Sequence, residues 1–457
     1  MTAPPPQVKS VDMNVQTEPS WVEKDRKYIW HPYTQHGLGL DPLPVVSAQG
    51  AYLELADGSR VLDAISSWWV NVLGHSHPVI AQAIADQAKK LDHVIFAGFT
   101  HQPAVELAET LINACQERGA AFSRVFYSDN GSTAVEVALK MAFQFHHNPS
   151  KPTHPIRTRF LALKGSYHGD TFGAMAVGDP QGFHPLFRPL MAPVDFVTPG
   201  DIGELKACLQ QKGNQYAAWI VEPLLQGAGG MNIYSAEYLN EGMRLCRAAG
   251  IPVIFDEVFT GFYRTGTAFA FEQVSEKPDF LCLSKGITGG FLPLAVTLTT
   301  ETVFQAFHSN DLSQAFLHGH SYTANPIACA AANATWKLLQ AKETQDRIRQ
   351  IAAITQTQLA KIQRLPHVQS VRSLGTIGVI QLSGQSTYFS ELAPRLRAAS
   401  LKMGVLLRPL GNVLYTVPPY CVSDAELIRV FDVAIELVKE VLPPYKAKPD
   451  QKSPVVE

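Results

Sequence analysis

From about residue 72 to residue 331, short apolar runs alternate with longer segments of helical period. This alternation restricts the fold more than any other feature of the chain. Strands that return to the same edge of a sheet need crossovers, so the pattern calls for a mostly parallel sheet with helices on both faces. Residues 124–127 read as one strand, 128–133 as a turn, and 134–145 as a helix with Val135, Ala138, Leu139 and Ala142 on one face. Further strands are expected at 160–163, 217–221, 251–255 and 280–283, followed by an Ala-rich buried helix at 326–339. Upstream, Asp57-Gly58 between two alternating runs predicts a hairpin over 51–63. His75-Ser-His77-Pro78 resembles a metal pair. The proline and the apolar-periodic stretch to Leu91 make it a helix entrance instead.

With 457 residues the chain can bury a large core in more than one domain. Beyond about Leu339 the texture changes to a polar amphipathic helix and short strands at 406–409 and 413–417, so a smaller α+β domain is expected there. The expected organisation is a tail over 1–20, an arm over 21–71 that belongs to the small domain, a large domain over 72–335, the small domain over 336–442, and a tail over 443–457. A net charge of −2 supplies no basic stripe for nucleic acid and no polybasic membrane patch. The six cysteines form no Cys-x-x-Cys pair, which disfavours zinc ribbons and disulfide frameworks and makes a reducing, cytoplasmic setting the simplest. Residues 1–20 carry no apolar signal core, and no apolar run is long enough to span a bilayer.

Two strand ends carry the chemistry. The run 280–283 delivers Lys285 into the glycine-rich turn Gly286-Ile-Thr-Gly-Gly290, at the edge where open α/β sheets bind ligands. A lysine in partly apolar surroundings there can have its pKa lowered enough to act as nucleophile or base. The run 251–255 delivers Asp256 to a similar place, with a connection to the lysine strand long enough for a crossover. Lysine and a carboxylate at neighbouring strand ends match the two fixed points of pyridoxal phosphate, one forming the Schiff base and the other partnering the pyridinium nitrogen. Gly131-Ser132 at a helix entrance suits a phosphate, although a plain helix cap has the same look. Tyr167-His168 in a Gly-rich loop suits stacking on a flat ring, and equally suits packing. Trp68 and Trp69 cannot both face one core from a strand, so one of them lines a cavity. The glycines at 227–230 lack the pattern of a dinucleotide fingerprint. His318 to Thr323 resembles a hydrolase elbow but has Thr323 where the second glycine belongs.

With these residues in view, the chain over roughly 28–441 resembles the fold-type I, class III pyridoxal-phosphate aminotransferases, α/β proteins with a large domain and a smaller α+β domain. The resemblance is carried by Trp30-His-Pro-Tyr33-Thr, Ser66-Ser-Trp68-Trp69, Gly131-Ser132 with Ala134-Val-Glu-Val-Ala138, Gly165-Ser-Tyr167-His168-Gly-Asp-Thr171, Asp256-Glu257, Lys285-Gly286 with Thr288-Gly-Gly290, and Asn325-Pro-Ile-Ala-Cys-Ala-Ala331. The first two motifs are similar to the branch that moves an amino group from S-adenosylmethionine to 8-amino-7-oxononanoate. Lysine as donor, or another ω-amino-acid substrate, is the alternative. The resemblance implies that Lys285 holds the cofactor, Asp256 faces the pyridinium nitrogen, Gly131 and Ser132 bind phosphate, and Tyr167 stacks on the ring. It implies Tyr33, Trp68, Gly319, Arg264 and Arg408 around substrate, with Arg408 on a carboxylate. His320 and Ser321 would reach the phosphate of a partner subunit in a homodimer with shared sites. Phe259 and Tyr263 depart from the pattern, and both are expected to add bulk near the cofactor.

Overall fold

The computed structural model describes residues 19–38, 41–148, 156–179, 185–384 and 391–441. The expected tail over 443–457, and all but the last two residues of the tail over 1–20, lie outside them. At the centre is a seven-stranded sheet in the order Phe122–Ser128, Ala295–Thr300, Phe280–Leu283, Val253–Asp256, Tyr216–Val221, Arg159–Leu163, Val194–Val197. Only Ala295–Thr300 runs against the rest, pairing antiparallel with both of its neighbours. The other ladders are parallel, including the one that sets Asp256 beside Cys282. The strands Tyr216–Val221, Val253–Asp256 and Phe280–Leu283 are buried at every position, which is why they read as unbroken apolar runs.

Helices cover the sheet on both sides. The helix Gly131–Phe145 packs one face with Ala134, Val135, Ala138 and Ala142, all fully buried. The opposite face belongs to the larger core, which includes residues of Gln102–Gln116, Ala236–Ala248 and Pro326–Gln340. The connection between the aspartate and lysine strands is a crossover between parallel neighbours, as expected, and contains no α-helix, only the 3-10 turn Ala270–Gln273. Glu257 fixes that connection, since its buried carboxylate accepts the N–H groups of Ala270 (2.6 Å) and Phe271 (2.8 Å).

The predicted hairpin is present, with Tyr52–Leu55 antiparallel to Arg60–Asp63. Val405–Leu406, late in the chain, pairs parallel with Arg60–Asp63 and so ties the two ends of the sequence into one sheet. A three-stranded antiparallel sheet of Val368–Leu374, Ile377–Leu382 and Val413–Thr416 lies beside the long helix Lys342–Ile362. Its first turn docks on the 262–266 loop below the site. The carbonyl of Arg264 accepts from Thr376 N, and a Cβ on Gly375, whose φ is +55°, would lie 2.3 Å from Gly266 N.

Gly375→Ala should therefore be far costlier than Gly58→Ala, whose φ is also positive but whose Cβ would meet nothing within 4 Å. About 1 kcal/mol is expected for the open turn and about 2–4 kcal/mol where backbone must also move, read as the difference in thermal midpoint between the two variants. Equal midpoints would show that the docking turn is not rigid.

Candidate active site

Five loops leave the carboxyl edge of the sheet and converge on one cavity of about 440 Å³. Asp256 ends its strand, Glu222 follows the strand at 216–221, Tyr167 and His168 lie beyond 159–163, Gly131 and Ser132 follow 122–128, and Lys285 sits two residues past 280–283. The structure thus brings Lys285, Asp256, Gly131, Ser132 and Tyr167 together as the sequence predicts. Ser284 Oγ donates to the Leu294 carbonyl (2.9 Å), holding the lysine turn against the next strand. Lys285 itself has φ +47°, a left-handed backbone that lifts it out of the strand direction.

Burial dominates the electrostatics. It lowers the Lys285 pKa to about 8, with Arg264 pushing the same way and Asp256 and Glu222 opposing. The amine lies over the Trp69 ring at 4.6 Å and near the Phe259 ring at 5.6 Å, so its immediate wall is aromatic. Asp256 is held at both carboxylate oxygens. Oδ1 accepts the Val258 N–H (3.0 Å) and Oδ2 accepts His168 Nδ1–H (2.7 Å). His168 Nε2 is buried and has no hydrogen-bond partner among the described residues. Burial raises the Glu222 pKa to about 7, helped by Asp256 and resisted by His168 and by the N–H groups of Gly227 (2.8 Å) and Tyr167 (3.1 Å).

At the other end of the cavity the helix Gly131–Phe145 begins. Asn130 caps it by accepting from Thr133 N, so Gly131 and Ser132 are its first two residues and their N–H groups are not needed inside the helix. A Cβ on Gly169 would sit 2.0 Å from Ser132 Oγ, and that oxygen accepts the N–H of Asp170 (3.2 Å). A flat phosphorylated ring fits these features, with anion-binding N–H groups at one end, a buried carboxylate for a ring nitrogen, a lysine amine at reach, and Tyr167 in the lining.

Tyr33, Trp68 and Arg408 build a wall at the mouth. Tyr33 OH donates to Asp170 Oδ2 (2.6 Å), Tyr167 OH donates to Asp170 Oδ1 (3.0 Å), and the two phenol oxygens are 3.2 Å apart. The Tyr33 and Trp68 rings meet in a T-shaped contact with centroids 5.3 Å apart, and the Arg408 guanidinium lies over the indole at 3.9 Å. The adjacent tryptophans are not on a strand. Ser66–Trp69 is a kinked turn that leaves Trp68 39% exposed and turns Trp69, 5% exposed, into the cavity. Of the two rings Trp69 alone lines the cavity, in keeping with the expectation that one of them does, and Trp68 lies outside that lining against Tyr33 and Arg408.

Two expectations need correction, those for Tyr263 and Arg264. Tyr263 does not line the cavity. Its hydroxyl accepts from Gln340 and Gln345 (both 3.1 Å), while Phe259 alone adds bulk beside Trp69, at 4.3 Å. Arg264 is buried below the floor, donating to the carbonyls of Pro418 (2.8 Å) and Trp69 (3.3 Å), so it supports the wall instead of lining it. Gly319, His320 and Ser321 do not line this chain's cavity. Gly319 and Ser321 are exposed, and His320 Nδ1 lies 3.3 Å from Asp129 Oδ2 at the rim. No strand precedes Ser321, so the hydrolase elbow is not formed. His75 is no metal ligand here, since its ring is engaged by Asp63 and Asn71. The sequence reading passed over Glu222 and Asp170 as site residues, left His168 open between stacking and packing, and did not say which of Trp68 and Trp69 lines the cavity. Glu222 had a visible signal, a carboxylate closing an apolar run just as Asp256 does.

Residues 34–438 match the model of the family described as aminotransferase class-III. The chain is 45% identical over 428 residues to the adenosylmethionine-8-amino-7-oxononanoate aminotransferase of Synechococcus elongatus, covering 91% of this chain and 99% of that one. The crystal structure of the protein of that name from Methanocaldococcus jannaschii aligns with a TM-score of 0.87 at 34% identity, covering 92% of this chain and 98% of that one. An amine transaminase from an uncultivated Pseudomonas species, in its PLP-bound form, aligns with a TM-score of 0.82 at 29% identity, covering 90% and 98%.

Because only the unprotonated amine attacks a carbonyl, covalent capture of pyridoxal phosphate by the apoprotein should quicken with pH and reach half its limiting rate near pH 8, where Lys285 loses its proton. Stopped-flow absorbance across pH 6–10.5 checks this, at about those limits on the scale of an ordinary lysine. A midpoint near that ordinary value would mean the amine is not desolvated.

Proposed function

The chain belongs to the class-III aminotransferase family, and we propose that it transfers the amino group of S-adenosylmethionine to 8-amino-7-oxononanoate, giving 7,8-diaminononanoate in biotin biosynthesis. The carrying observation is the joint presence of the lysine–aspartate cavity and an aromatic wall closed by Arg408, in a chain collinear with relatives of that name. The cofactor is pyridoxal 5′-phosphate, which when bound supplies an electron sink that acidifies the C–H bond beside the transferred amino group.

The chain's own residues do the rest. Asp256, oriented by His168 and the Val258 N–H, would keep a proton on the ring nitrogen by placing a buried negative charge against it. The first two N–H groups of the helix Gly131–Phe145 would hold the phosphate, and Tyr167 and Val258, which line the cavity, would flank the ring. Lys285 Nζ, with its pKa near 8 and once freed from the cofactor it holds, would take the proton from the substrate carbon and return it two atoms away, across the nitrogen, since it is basic enough to accept and weakly enough hydrated to give it back. Trp69 and Phe259 exclude water from that amine. Transfer then runs in two halves with ping-pong kinetics, one substrate leaving before the other enters.

The mouth supports the substrate assignment. An adenine ring and a sulfonium both suit the face of Trp68, the latter by cation–π attraction, and Tyr33 lies edge-on beside it. Arg408, whose guanidinium lies 3.9 Å from the Trp68 ring centroid, would hold a carboxylate in bidentate fashion at the far end of an aliphatic chain. Arg264 acts from below, through the Trp69 carbonyl and its field on Lys285. We place the arm over 21–71 with the small domain over 336–442, which the pairing of Leu62 with Val405 supports.

We further propose a homodimer in which Gly319, His320 and Ser321 complete the partner's site, a reading supported by the exposure of Gly319 and Ser321 outside this chain's cavity. Mixing Lys285→Ala chains with chains carrying a bulky Ser321→Trp substitution should then restore activity, because one site of each mixed dimer has both intact parts. Up to about half of the wild-type rate per mixed dimer is expected, and none if each chain serves only itself. In the loaded wild-type protein, S-adenosylmethionine should bleach the visible absorbance band and lysine should not. The opposite pattern would exchange the donor.

A further inference from the structure

We propose that Asp63 and His75, which touch neither the cofactor space nor the mouth, are positioning residues that set the Trp68–Trp69 wall and so govern substrate affinity. The inference deepens the functional reading above and rests on its placement of substrate against Trp68.

The turn that carries both indoles has a backbone that L residues rarely adopt. Ser66, Ser67 and Trp69 have φ of +52°, +59° and +68°, three left-handed non-glycine residues among four in a row. Such a segment persists only where its surroundings over-determine it. Asp63 is the centre of that determination. Its side chain is fully buried, Oδ1 accepts the Ile65 N–H (3.1 Å), and Oδ2 accepts the Ser67 N–H (2.6 Å) and His75 Nε2–H (2.9 Å). Asn71 Nδ2 donates to His75 Nδ1 (2.7 Å), which selects the tautomer with its proton on Nε2, facing the carboxylate.

The same network reaches the cavity from behind. A Cβ on Gly290, which lines the cavity, would lie 1.6 Å from Asn71 Oδ1, so the Asn71 amide packs directly on the lysine turn. The far side of the indole turn is tied down by Ser66 Oγ donating to the Val417 carbonyl (2.8 Å) and by Trp69 Nε1 donating to Tyr415 OH (3.2 Å). Those bonds anchor the ends of the turn. Asp63 and His75 fix its middle, and with it the rotation that sends Trp69 toward Lys285 and lays Trp68 beneath Arg408. Without the histidine donor the carboxylate keeps only partners from the segment it must restrain, the N–H groups of Ile65 and Ser67 and the Ser67 hydroxyl (3.4 Å), and is free to rotate with it.

The test compares His75→Ala with His75→Gln, which retains an N–H donor toward Asp63. The readouts are near-ultraviolet circular dichroism of the tryptophans, visible absorbance after loading with pyridoxal phosphate, and the KM and kcat for S-adenosylmethionine and 8-amino-7-oxononanoate. His75→Ala should load cofactor like the wild type, lose tryptophan dichroism, and raise KM about tenfold while kcat falls about twofold or less, the mark of lost binding in place of lost chemistry. His75→Gln should recover most of both signals. Wild-type dichroism and KM in His75→Ala would overturn the proposal, as would a fall in kcat with KM unchanged. If the wild type accepts neither substrate, the substrate assignment has failed, and the dichroism of the loaded variants decides the positioning role alone. Where His75→Ala does not fold, Asp63→Asn is read by the same criteria.

Discussion

The site depends on the removal of water from one amine. Lys285 is held on a left-handed turn at the end of a fully buried strand, against Trp69 and Phe259, and burial there outweighs the attraction of Asp256 and Glu222. Parallel pairing makes this possible at low cost in precision. Strands that are buried on both faces cannot slip register without exposing apolar side chains, so the ladder that puts Asp256 beside Cys282 also fixes its distance from the lysine turn. The carboxylates answer the same constraint differently. Asp256 is stabilised by a histidine and a backbone N–H, whereas Glu222 is pushed up to about 7 by burial and by Asp256 itself.

Around that centre the chain uses residues that are far apart in sequence. His168 reaches Asp256 across the sheet edge, Tyr33 in the arm reaches Asp170, and Arg408 in the last third of the chain covers Trp68. The mouth is thus assembled from both ends of the sequence over a floor made by its middle. A sheet shared between Arg60–Asp63 and Val405–Leu406 brings those ends together. The strained turn at Ser66–Trp69 lies immediately after this junction, where its backbone conformation can be enforced by buried partners such as Asp63 and the Val417 carbonyl.

What was legible in the sequence follows from this geometry. Lys285, Asp256 and Gly131-Ser132 each follow an apolar strand closely, so a local pattern marked both the element and the site. The strands, the hairpin at Asp57-Gly58 and the helix after His77-Pro78 were legible for the same reason. His168 and Asp170 were not, because their meaning comes from partners 88 and 137 positions away, and nothing in their own loop separates a ligand-facing side chain from packing. That one indole lines the cavity was legible, but the turn that carries it was not, because positive φ at Ser66, Ser67 and Trp69 has no composition signature. Tyr263 was misplaced because its φ of +72° turns it away from the cavity toward Gln340 and Gln345, and only the backbone reveals that. The crossover between 256 and 280 was legible from its length, but not that it is a loop that Glu257 stabilises from beneath, a contact invisible in any periodicity.

The central claim, that this desolvated lysine is where the cofactor is held, is tested most directly by borohydride reduction of the loaded protein followed by peptide mapping. The account predicts a single stable pyridoxyl label on the peptide containing Lys285, and none in Lys285→Ala. A label on another lysine, or a loaded protein whose cofactor is released intact after reduction, would contradict it.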